Sequence, residues 1–237
     1  MRIPRSTIFS ALALAVLLLF APAPNAAAPQ PTAPAGFAHS SYRSENAFRG
    51  EILTINRKLR KRMTGNSWHR GCPVGLSDLR LLKLRYRSFP GAVRRGYLVV
   101  HETAAPRILG VFRRLFNAGY RIRRMRLVDA YGADDHRSMN ADNTSAFNCR
   151  EVAGRPGVWS RHAFGRAIDV NPVENPYVAG SHVSPARGRP FASRTPRRRG
   201  MISQGGRVVR IFAGIGWEWG GDWYGARDYQ HFSASGR

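Results

Sequence analysis

Residues 160–172 read SRHAFGRAIDVNP, and the fold of the chain turns on how this run is taken. Gly165 and Ala167 are small enough for a tight turn, and RAIDVNP at 166–172 reads as an extended segment that Pro172 stops. His162 then sits on a loop and Asp169 on the strand leaving it. An imidazole nitrogen and a carboxylate oxygen so placed suit Zn²⁺, which needs a third protein ligand and a water for a catalytic tetrahedron. His231, within DYQHF at 228–232, is the third candidate, and Asp228 stands three residues before it. In that set zinc would polarise a peptide carbonyl while Asp228 took and returned a proton. Spacing alone leaves a surface or hydrogen-bonded role open for each of these histidines.

Working outward, ENAFRGEILTINRKLRKR at 45–62 carries Phe48, Ile52, Leu53, Ile55 and Leu59 at spacings that suit a helix with one apolar stripe. LLKLRYRSF at 81–89 and GYLVVHETA at 96–104 read as two strands joined across Pro90 and Gly91 in a hairpin. A helix follows over 105–120, with Pro106 near its start and Gly119 as its stop. RIRRMRLVDAY at 121–131 alternates Arg with Ile, Met and Leu, the pattern of a strand with a basic wet face. Segment 132–157 is polar and turn-rich. Segment 173–206 has almost no apolar period and reads as a lid or a surface loop. A short helix over 207–213 leads into the aromatic C-terminal run, whose Trp217, Trp219 and Trp223 suit a core edge or a groove wall. Strands and helices in no regular βαβ order imply a single α+β domain, with a small, mainly antiparallel central sheet and flanking helices.

The N-terminal residues combine Arg2 and Arg5, an apolar run from Ile8 to Phe20, and small residues up to Ala28, the pattern of a signal peptide over 1–28. Residues 29–41 are rich in Pro and Ala and read as a disordered lead-in, so the folded domain spans 42–237. Export gives the two cysteines, Cys72 and Cys149, an oxidising compartment in which to pair as a disulfide. The formal net charge is +24, and nearly all of it comes from arginine. Such a charge draws polyanions in general. With no nucleic-acid motif in the sequence, an anionic cell-wall polymer suits an exported protein better than specific nucleic acid. The acids Asp134, Asp135 and Asp142 lack EF-hand spacing and read as salt-bridge partners for the arginines. HETAA at 101–105 begins like the helical zinc motif HExxH but carries Ala105 where the second histidine belongs.

SRHAFGRAIDV also resembles the SxHxxGxAxD signature of the zinc D-alanyl-D-alanine carboxypeptidase family, the group that holds VanY-type and phage L-alanyl-D-glutamate peptidases. Ser160, His162, Gly165, Ala167 and Asp169 match it, and Asp228 and His231 fill the family's closing motif of an acid, two residues and a histidine. Aspartate rather than glutamate at 228 resembles the phage endolysin-like branch. The resemblance runs from about Pro73 to Phe232 and takes in 127–150. It implies a Hedgehog/DD-peptidase-like fold, Zn²⁺ on His162, Asp169 and His231, and Asp228 as the acid and base. It also implies an upstream arginine that binds substrate, with Arg137 the first choice and Arg150 the second, and a hydrogen bond to substrate from Ser160. The expected protein is an exported peptidase of peptidoglycan stem peptides, a carboxypeptidase or an endopeptidase. A wall-binding module that keeps the fold without catalysis is the other class.

Overall fold

A computed structural model describes residues 46–236. The signal-peptide and lead-in readings, and the start of the domain at Tyr42, lie outside the described residues. The architecture is α+β, as expected, with its strands distributed over three small antiparallel sheets and two two-stranded pairs.

The first sheet grows from the predicted hairpin. Strands β2 (Leu79–Arg87) and β3 (Val93–His101) pair antiparallel, with Leu82 opposite Leu98 and Leu84 opposite Gly96. Side chains alternate across a strand, so Leu82, Leu84, Leu98 and Val100 share one face. Against that face packs the amphipathic helix Ala105–Asn117, burying Ile108, Val111, Phe112 and Leu115. Each such side chain, fully buried, stabilises by about 1.5–3 kcal/mol. The opposite face carries Leu79, Leu81 and Val99, which meet Leu59, Met63 and Phe147 in a second, smaller core.

The N-terminal edge corrects the predicted helix over 45–62. Gly50–Thr54 is strand β1, paired antiparallel with β2 from Gly50↔Leu84 to Thr54↔Arg80. Ile52 and Leu53 are 39% and 38% exposed, so no continuous stripe is buried there. The helix is only Arg57–Met63, started by Asn56, whose Oδ1 accepts from the Leu59 amide at 2.9 Å.

The predicted strand over 121–131 also shrinks. Only Arg124–Met125 (β4) is a strand, parallel to Asn143–Thr144 (β5), and Val128–Tyr131 forms a 3₁₀ turn. Segment 132–157 contains a helix, Asp135–Asn140, and a hairpin of Glu151–Val152 (β6) with Arg155–Trp159 (β7).

Segment 173–206 is held in place by polar groups. Tyr177–Ala179 (β9) pairs with His182–Ser184 (β10), after Ala167–Asp169 (β8) has entered the third sheet. Asn175, fully buried, donates to the carbonyls of Val170, Asn171 and Gly200 and accepts from the Ile202 amide at 2.7 Å. Arg194 donates to the carbonyls of Glu174 and Ile202 and lies over the Tyr229 ring. Nothing in this arrangement resembles a free loop.

The helix Arg207–Ala213 falls where the sequence puts it, and Phe212 stacks on Phe232 with ring centroids 3.9 Å apart. Glu218–Trp219 (β11) and His231–Ser233 (β13) close the sheet on β8, while Arg227–Asp228 (β12) pairs with β9. Trp217 and Trp219 are 6% and 4% exposed and belong to the core. No described helix is long and apolar enough to cross a membrane.

Candidate metal centre

The register of β8 against β13 builds the site. Ile168 pairs with Phe232, both wholly buried in the core, so the next pair, Asp169 and His231, points to the other face. A one-residue slip would send both polar side chains into the core. His162 comes from the preceding turn, a 3₁₀ helix over Arg161–Phe164 capped by Ser160 and ended by Gly165 at φ 64°. Gly165 has a second reason to be glycine: a Cβ there would lie 2.5 Å from the His101 amide nitrogen. That amide donates to the Gly165 carbonyl at 2.9 Å and ties the turn to the end of β3.

The three donor groups converge. Asp169 Oδ2 lies 3.1 Å from His162 Nε2, and Oδ1 lies 3.1 Å from His231 Nδ1. The two histidine nitrogens are 3.3 Å apart, and all three residues are buried. His162 Nδ1 donates to the Ala146 carbonyl at 2.5 Å, which fixes the tautomer and leaves Nε2 as a lone-pair donor. Two imidazoles and one carboxylate within 4.8 Å of one another are a donor set that fits Zn²⁺. Burial works to raise the Asp169 pKa, but the charges and hydrogen bonds of His162 and His231 win and hold it far below the usual carboxylate range. Burial likewise works to lower His162, and Asp169 outweighs it and raises the ring's pKa.

The disulfide forms between Cys72 and Cys149, closing a separation of 77 residues. It braces the chain at 146–149, where Ala146 receives the His162 bond and the Asn148 amide donates to the His162 carbonyl. His69 also lies near the two sulfurs, but disulfide sulfurs offer no thiolate to a metal.

Asp228 ends β12, opposite Tyr177 of β9. Its Oδ1 is sealed from solvent and has no hydrogen-bond partner. Loss of hydration, reinforced by the Asp169 charge, pushes its pKa up to about 6. Gly220 makes this position accessible, because a Cβ there would lie 2.6 Å from the Asp228 carbonyl oxygen and 3.2 Å from His231 Cβ. Neither Gly220 nor the buried Gln230 carries a signal that sequence reasoning could use.

The centre opens into a cleft of about 830 Å³. Its walls are the helix Asp135–Asn140, the β6–β7 hairpin, Tyr177 and His182 from segment 173–206, and Trp223 with Tyr224. Ser160 lines it too, although its hydroxyl already accepts from the His162 amide at 3.3 Å. Of the two candidate arginines, the structure brings Arg150 to the cleft, paired with Asp135 at 2.8 Å. Arg137 does not line it: its side chain is 76% exposed and pairs with Asp134. The remaining acid, Asp142, is buried against Arg123, so all three acids serve salt bridges.

Residues 153–234 match the family described as D-alanyl-D-alanine carboxypeptidase, which bears out the resemblance. The match contains every residue of the centre, from Ser160 to His231. Neither the curated proteins nor the solved structures contain a match to the chain.

Proposed function

We propose that the chain is an exported zinc metallopeptidase that hydrolyses peptide bonds in peptidoglycan stem peptides, acting as a D-alanyl-D-alanine carboxypeptidase. The observation that carries this reading is the convergence of His162 Nε2, Asp169 and His231 Nδ1 at the floor of a cleft, beside an unpartnered Asp228 oxygen. The family match supports the peptidase class, and the disulfide supports an oxidising compartment.

His162, Asp169 and His231 would hold the ion. Bound there, zinc supplies Lewis acidity, polarising the scissile carbonyl and acidifying water. The protein's own groups do the rest. The Asp228 carboxylate accepts the proton of the attacking water and returns it to the leaving amine. Its raised pKa makes it a better proton acceptor than an ordinary aspartate and keeps it able to donate in the second step. Arg150 presents a guanidinium to the cleft for a substrate carboxylate or the carbonyl oxygen that gains charge. Tyr177 and His182 line one wall of the cleft.

Mass spectrometry of muropeptides incubated with the chain, with and without a zinc chelator, tests this. Chelator-sensitive loss of a single alanine is expected. Larger fragments would convert the assignment to an endopeptidase of the L-alanyl-D-glutamate type. Intact muropeptides in the presence of bound zinc would leave a cell-wall-binding module.

A further inference from the structure

Gln230 sits between Asp228 and His231, in the connection from β12 to β13, and the residue lines the cleft although it is only 2% exposed. Its backbone is engaged, because its carbonyl accepts from the Val170 amide at 3.0 Å. Its side-chain amide is not satisfied. Nε2 reaches Met139 Sδ at 3.5 Å, a weak acceptor, and Oε1 has no partner at all. The orientation of the amide is set by its surroundings: the Asp228 carboxylate, which Gln230 helps to stabilise, and the Met139 sulfur are both acceptors and call for the NH₂ end. The end left over is a carbonyl oxygen beside the cleft, closed to solvent in the free chain.

A buried amide with an unmade acceptor destabilises the free protein, and a methionine or leucine of similar length would fill the space without that penalty. A polar group kept at such a place calls for a partner that arrives with the ligand. We propose that Gln230 is a substrate-recognition residue whose Oε1 accepts a hydrogen bond from a backbone N–H of the bound peptide. The inference rests on the peptidase reading of the cleft and adds a determinant to it: the site reads the peptide group itself, so ligands lacking a donor there are discriminated against. The two paired strands hold the backbone on either side of Gln230 in place, so the peptide meets Oε1 by displacing only the side chains that seal it.

The test compares the full chain with Gln230→Met and, should that variant misfold, Gln230→Leu. Zinc content, Tm, steady-state hydrolysis of a stem pentapeptide, and calorimetric binding of the same peptide to the chelator-treated chain are measured. The expected result is one zinc retained, a Tm equal to or above that of the parent, and binding weaker by about tenfold. KM should rise with little change in kcat, the mark of an interaction made equally in the ground and transition states. Unchanged Kd and KM, or a Tm lowered by several degrees without loss of affinity, would overturn the inference and make the amide structural. A parent chain that binds the pentapeptide without cutting it would end the peptidase reading while leaving the Gln230 contact standing. Cleavage with equal KM in parent and variant would do the reverse.

Discussion

Gly220→Ala tests how tightly the fold holds Asp228 and His231. The added Cβ would lie 2.6 Å from the Asp228 carbonyl oxygen and 2.9 Å from Asp228 Cβ, whereas ordinary contact begins at 3.4 Å. The backbone at Gly220 is not in the left-handed region, so alanine brings no conformational strain and the effect is steric. Relief requires about 0.8 Å of separation, and the atoms in the way belong to β12 rather than to a flexible side-chain tip. Overpacking of this kind costs about 1–3 kcal/mol, which for a chain of this size lowers Tm by about 2–12 °C. The functional effect is larger, because a misplacement near 1 Å costs about a hundredfold in rate. The assay is kcat/KM on a muropeptide, with zinc affinity and Tm measured on the same protein. A fall in kcat/KM of about 30- to 100-fold, with a weaker hold on zinc, is expected. Parent-like kcat/KM and zinc affinity would show that the turn between β12 and β13 tolerates displacement and would refute the reasoning.

Asp228→Asn should keep zinc and lose kcat by about 10²- to 10⁴-fold, the range for removal of a general acid and base, as read by metal analysis beside initial rates. The paired replacement Cys72→Ser and Cys149→Ser opens a loop of 77 residues, which by chain entropy is worth about 4.5 kcal/mol, and thermal unfolding should show Tm falling by about 9–18 °C. Glu174 is buried beside the Asp142 carboxylate, and burial followed by that neighbour pushes its pKa up to about 8, with Arg123 opposing. It therefore binds its proton more tightly folded than unfolded. Its contribution to stability is complete below about pH 4.5 and is lost as pH rises through about 8. Glu174→Gln should flatten the pH dependence of the denaturant midpoint across that interval.

Much of this was legible along the chain because its signals are periodic. The β2–β3 hairpin and the helix Ala105–Asn117 alternate at two and at 3.6 residues, and each buries the face that its period marks. The candidate ligands were legible through the family-like motifs around His162, Gly165 and Asp169 and around Asp228 and His231, which the structure brings together. What failed had no unique period. Phe48, Ile52, Ile55 and Leu59 fit a helix by spacing, yet Gly50–Thr54 gains more by pairing its backbone along the edge of β2. The arginine alternation of 121–131 is real, but the strand has room to pair only at Arg124 and Met125. Segment 173–206 is ordered by Asn171, Asn175 and Arg194 bonding to main-chain groups, and such pins leave no pattern in hydropathy. Arg137 and Arg150 could not be ranked in sequence, because the choice depends on which way the short helix at Asp135 faces.

The central claim is that His162, Asp169 and His231 hold the ion on which catalysis depends. A crystal of the zinc-loaded chain, measured on both sides of the zinc absorption edge, tests it most directly. The account predicts one strong anomalous peak within bonding distance of His162 Nε2, an Asp169 carboxylate oxygen and His231 Nδ1, with Asp228 outside the ligand shell. A zinc-loaded chain with no peak among these three residues, or with its peak held by other residues, would contradict it.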